Sequence, residues 1–170
     1  MPSSDGFVTG LVLGAGGSRR LGRPKQLLPY GPASQTLLGH VVTTARACDF
    51  DQLVVALGVV DARAELLVLM LGDQPGVTPE TVQALLAGRG DAPLAVCRYE
   101  DQRGHPFVFE RRIFGELGNL HGDKGVWRLL DQRADDVVEV RIPGPVPLDV
   151  DTPEDYEAVL AAAGFTEAQA

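Results

Sequence analysis

Short, fully apolar runs alternating with capped helix starts constrain this chain more than any other feature of its sequence. Phe7–Leu13 (FVTGLVL), Leu53–Leu57, Leu66–Leu71 and Leu94–Val96 are β-rich, and a further strand is expected over Val137–Ile142. Runs apolar at nearly every position suit strands covered on both faces. Between them stand helix signals. Thr78, Pro79 and Glu80 precede the stripe Val82, Leu85 and Leu86, with Gly88 to end it. That order supplies a capping hydroxyl, a proline where a missing N–H costs nothing, and an acid at the positive end of the helix dipole. Thr152, Pro153, Glu154 and Asp155 repeat it before Tyr156, Val159, Leu160 and Ala163, ending at Gly164, and a third helix is expected over about 37–47. The alternation predicts a three-layer α/β/α, Rossmann-like fold with a mostly parallel sheet, in one domain over residues 1–170, with ligands at the carboxyl ends of the strands.

One connection is too short for this scheme. Parallel neighbours need a crossover of a dozen or more residues, but only Gly58–Glu65 separates the second and third runs. Either those strands are not parallel neighbours, or residues that belong between Val60 and Asp61 are missing.

A formal net charge of −8 and a pI near 4.8 argue against binding to long nucleic acids, which needs broad basic surfaces. Cys48 and Cys97 match no zinc or redox spacing and suit a reducing compartment. With no signal-peptide pattern and no apolar run near the length of a membrane span, a cytoplasmic protein without membrane contact is expected.

Against that acidic background stands LGAGGSRRLGRPKQLLP, residues 13–29. Arg19, Arg20, Arg23 and Lys25, four of the fifteen Lys and Arg residues, fall within seven positions. Gly14, Gly16 and Gly17 sit where the chain leaves the first strand, and glycine lets backbone N–H groups approach a phosphate closely. A phosphate site that does chemistry commonly needs a divalent metal and oxygen ligands for it. Asp73 in LGDQP directly follows an apolar strand. Asp149 and Asp151, two apart, share a face in an extended chain. Bland roles also fit: Asp73 can open a turn, and Asp151 can assist the cap of the following helix. The spacing G-x-G-G-x-x-x-x-G departs from the G-x-G-x-x-G of dinucleotide-binding oxidoreductases, the rival class.

Taken together, these residues resemble the MobA-like nucleotidyltransferases, and in particular the molybdenum cofactor cytidylyltransferases. The likeness rests on LVLGAGGSRRLGRPKQLLP, LGDQP at 71–75, GHPFVF at 104–109, GDKGVWRLL at 122–130 and LDVDTPEDY at 148–156, in that order. It implies a nucleotide bound by Leu13, Gly14, Ala15, Gly16 and Gly17, with Arg20 and Lys25 neutralising the triphosphate. Mg²⁺ would be held by Asp73 with Asp149 or Asp151, Asp149 being favoured. Arg20, Lys25 and Asp73 are the implied catalytic residues, and His105 and Asp123 the implied acceptor contacts, while Phe107 and Trp127 read as core. The implied reaction moves a nucleoside monophosphate from CTP, or alternatively GTP, to the phosphate of molybdopterin or molybdenum cofactor. Handover of the product to a molybdoenzyme would follow. Relatives using phospholactate or sugar phosphates as acceptors are the alternatives within the same class.

Overall fold

The computed structural model describes residues 6–14, 21, 24–31, 35–55, 63–117, 120 and 124–165. Six strands form one sheet: β1 (Phe7–Leu13), β2 (Gln52–Val55), β3 (Ala64–Leu71), β4 (Leu94–Arg98), β5 (Arg103–Glu110) and β6 (Val137–Arg141). Their order is β2-β1-β3-β5-β4-β6, with β5 antiparallel to both neighbours and the other pairings parallel. The helices are α1 (Leu37–Ala47), α2 (Pro79–Gly88), α3 (Phe114–Leu117), α4 (Gly125–Gln132) and α5 (Pro153–Ala162).

The expected caps are present. Thr36, Thr78 and Thr152 each accept a hydrogen bond from a first-turn amide, which satisfies a donor the helix leaves open. Thr152 and Asp155 complete a reciprocal capping box.

Two apolar clusters show the three layers. Val8, Val12, Val68, Met70, Cys97 and Val108 face α1 and α2 through Val41, Ala45, Val82 and Leu85. On the opposite face Leu67, Leu69, Val96, Phe107 and Phe109 meet Leu129 and Leu130 of α4. Successive residues of β3 divide between the two clusters, as the two-residue period of a strand requires.

β2 and β3 are not neighbours, because β1 lies between them and pairs with both, but they run parallel, so the connection still has to cross the sheet and stays short for a crossover. Residues 56–62, including the junction of Val60 and Asp61, lie outside the described residues.

Candidate active site

The carboxyl ends of β1 and β3 meet at a close backbone contact. The Gly72 amide donates to the Leu13 carbonyl at 2.7 Å. A Cβ built on Gly72 would lie 2.8 Å from that same oxygen and 3.1 Å from the Gly14 Cα, so a side chain here would separate the two loops. The 3-10 turn Lys25–Leu27 lies against Gly14, whose carbonyl accepts from Gln26 Nε2 at 2.6 Å.

Lys25 occupies the centre of the site. It is 7% exposed, and its Nζ lies 2.6 Å from Asp73 Oδ2 and 2.7 Å from Asp151 Oδ1. Burial is the strongest single influence on the amine and pulls its pKa down. The hydrogen bonds to Asp151 and Asp73, with the charges of both, outweigh it and leave the pKa above its ordinary value.

These three groups are widely separated in sequence, and a small third core brings them together. Leu28 and Tyr30, just after Lys25, pack with Leu37, Val150, Tyr156, Val159 and Leu160, and the Tyr156 hydroxyl donates to the Pro29 carbonyl. Val150 is fully buried while Asp149 and Asp151 on either side are exposed, and its amide donates to the Asp73 carbonyl at 3.0 Å. Asp151 and Thr152 amides both donate to Asp155 Oδ2, at 3.2 and 2.8 Å, fixing the entry to α5.

The carboxylate that shares Lys25 with Asp73 is Asp151. Asp149 stands close enough to feel both. Desolvation by the surrounding protein, then repulsion from Asp73 and Asp151, push its pKa up to about 6 against the pull of Lys25 and a hydrogen bond with Gln74.

Next to the aspartates opens a cavity of about 760 Å³, whose lining includes Gln74, Arg98, Arg103, His105, Trp127, Asp149 and Asp151. His105 packs against Phe107 and Trp127, with ring centroids 4.0 and 6.1 Å away, and burial lowers its pKa to about 4. It is thus a neutral imidazole at neutral pH. The peptide bond from His105 to Pro106 is cis, and the His105 carbonyl accepts from the Tyr99 hydroxyl at 2.7 Å. Phe107 is fully buried core, as expected. Trp127 differs: half-buried, it lines the cavity and carries the Arg103 guanidinium 5.7 Å from its ring centre.

Of the residues singled out from the sequence, the structure brings Leu13, Gly14, Lys25, Asp73, Asp149 and Asp151 to one edge of the sheet, with His105 across the adjoining cavity. Ala15, Gly16, Gly17, Arg19, Arg20, Arg23 and Asp123 lie outside the described residues. Sequence reading passed over Gln26, Gly72, Arg98 and Arg103. Arg103 immediately precedes GHPFVF, so that block extended by one residue would have included it.

The donor chemistry, though not a complete ligand cage, suits a divalent cation. The carboxylates supply only oxygen, the ligand type hard cations such as Mg²⁺ and Mn²⁺ accept, and the Lys25 ammonium already lies between two of them as a stand-in cation. Among the described residues, no three His, Cys, Asp or Glu side chains stand close enough to form a metal cage without rearrangement or further ligands.

The chain matches the family model described as the MobA-like NTP transferase domain over residues 10–61 and 55–137. Among solved structures, it is 45% identical to the homologue of Mycobacterium tuberculosis Rv0371c from Mycobacterium sp. strain JC1. The TM-score is 0.83, and the match covers 93% of this chain and 97% of that one. It is 40% identical to Rv0371c of M. tuberculosis H37Rv in complex with manganese, with a TM-score of 0.79 and coverage of 92% and 99%. It is also 28% identical to the nicotine blue oxidoreductase of Paenarthrobacter nicotinovorans, over 74% of this chain and 82% of that protein. No helix among the described residues is long and apolar enough to cross a membrane.

Proposed function

The chain belongs to the MobA-like NTP transferase domain family and is a nucleotidyltransferase, and we propose that it transfers a nucleoside monophosphate, CMP in first place, from a nucleoside triphosphate to the phosphate of molybdopterin or molybdenum cofactor. An acceptor phosphate oxygen attacks the α-phosphorus in line, the bond from that phosphorus to the bridging oxygen breaks, and pyrophosphate leaves with the electron pair. The nucleophile is already an anion, so no protein base is needed. Screening and alignment are the tasks.

The observation that carries this reading is the Lys25 ammonium buried between Asp73 and Asp151, near Gly14 and a cavity of about 760 Å³. In this reading Leu13 and Gly14, with Ala15, Gly16 and Gly17, bind the nucleotide. Lys25 and Arg20 neutralise the triphosphate. Asp73 and Asp151 hold a divalent cation, Mg²⁺ by expectation, with Asp149 adjacent. The crystallised manganese complex of a relative 40% identical to this chain supports a divalent ion. Bound there, the ion would draw charge from the α- and β-phosphate oxygens and favour departure of pyrophosphate. The acceptor fills the cavity, its rings against Trp127 and the neutral face of His105, with Asp123 a further contact. The reading places the enzyme in the cytoplasm, handing its product to a molybdoenzyme.

The test is pyrophosphate release with CTP, GTP, ATP and UTP, each with molybdopterin or phospholactate and with Mg²⁺ or Mn²⁺. CTP with molybdopterin should give the highest rate, and Asp73→Ala and Lys25→Ala should each cost about 10²- to 10³-fold while remaining folded. GTP preference would move the reading to a guanylyltransferase. The named oxidoreductase at 28% identity gives a specific reason to test a second reading, reduction by NAD(P)H. Nicotinamide oxidation without pyrophosphate release would replace the first reading with it.

A further inference from the structure

We propose that the Lys25 ammonium is a resident counter-ion that keeps a divalent cation from settling between Asp73 and Asp151 until a nucleoside triphosphate draws the lysine away. The inference rests on the reading of Asp73 and Asp151 as metal ligands. It adds an order of events: the cation enters with the nucleotide rather than before it.

The geometry carries the exclusion. Nζ is within 2.7 Å of one oxygen from each carboxylate, and the side chain is 8% exposed. A dication needs those oxygens at about 2.1 Å, and an ammonium sharing them would stand against it at close range. Water screens little of that repulsion where the lysine is buried.

The same geometry supplies the release. Lys25 begins the turn whose next residue, Gln26, holds the Gly14 carbonyl at 2.6 Å, so its flexible four-carbon stem starts near Gly14. A triphosphate bound there offers several negative oxygens at once. Moving the ammonium toward them leaves Asp73 and Asp151 without their cation beside Asp149, and the metal arriving with the nucleotide replaces it. The device holds Asp73 and Asp151 together in the resting protein.

Nucleotide-free Mn²⁺ binding tests this, read from the electron paramagnetic resonance signal of the free ion during titration at neutral pH. Lys25→Met should bind Mn²⁺ about tenfold or more tightly than the wild type, the scale on which one nearby like charge shifts a binding equilibrium. Lys25→Arg, which keeps the charge, should stay weak, and adding Asp73→Asn to Lys25→Met should abolish the gain. Lys25→Gln provides the same comparison if the methionine variant does not fold. Affinity unchanged or weakened by both neutral variants, while Asp73→Asn alone lowers it, would overturn the counter-ion role and leave the metal reading standing. Binding indifferent to Lys25, Asp73 and Asp151 alike would remove the metal reading, and this inference with it.

Discussion

His105 turns a local environment into a measurable pH dependence. Its ring packs against Phe107 and Trp127, and burial lowers its pKa from 6.5 to about 4. The native state therefore binds this proton less readily than the unfolded chain does. The stability due to the neutral ring is complete above the unfolded value and is lost as pH falls from there through the folded one. Between about pH 7 and about pH 4.5 the wild type should lose about 2 kcal/mol more unfolding free energy than His105→Gln. Urea titrations of both proteins across that range would measure it, and parallel losses would mean the ring is protonated in place. The histidine was visible in the sequence as a candidate acceptor contact. Its protonation state was not, because that depends on an aromatic wall drawn from α4 and β5.

At the scale of elements, the decisive joint is the one between the ends of β1 and β3. Both strands were legible as apolar runs, and the parallel register that aligns Leu13 with Leu71 sets Gly14 beside Gly72. Gly72→Ala forces a methyl to within 2.8 Å of a backbone oxygen, an atom that cannot swing aside. The expected cost is about 1 to 3 kcal/mol of stability. A fall in kcat/KM should accompany it, because the loop carrying Asp73 is displaced from the loop expected to carry the nucleotide. Stability by urea and steady-state kinetics read the two effects separately, and kcat/KM equal to wild type would show that this spacing does not matter. The helices were readable for a different reason. Thr78 and Thr152 cap the turns they precede, so a few neighbouring residues hold all the information. Where β5 pairs was not local. Its antiparallel place between β3 and β4 depends on partners more than a hairpin away on one side.

The whole molecule divides its apolar side chains into two sheet faces and a third, smaller cluster, and only the first two form the layered core. Phe109 lies at 0% exposure in the face covered by α4, so Phe109→Ala should cost about 3 to 5 kcal/mol in urea unfolding. Leu148, 43% exposed on the cavity rim, should change stability by less than about 0.5 kcal/mol when replaced by alanine. Similar values for the two would contradict the placement of the core. The third cluster is only partly written in the helix pattern: Tyr156, Val159 and Leu160 are the stripe of α5, whereas Leu28 and Tyr30 lie in no strand or α-helix. Yet it places Lys25 against Asp151, 126 positions further along the chain. By itself the sequence determined the layered fold, the approximate extents of α1, α2 and α5 and the chemical types gathered at the sheet edge, because periodicity, caps and glycines act over a few residues. Only the tertiary structure decided that Asp151 rather than Asp149 shares the lysine with Asp73, and that Trp127 lines a cavity. Those choices depend on distant packing, with Val150 buried in the third cluster and Trp127 set against β5, and no local pattern encodes that.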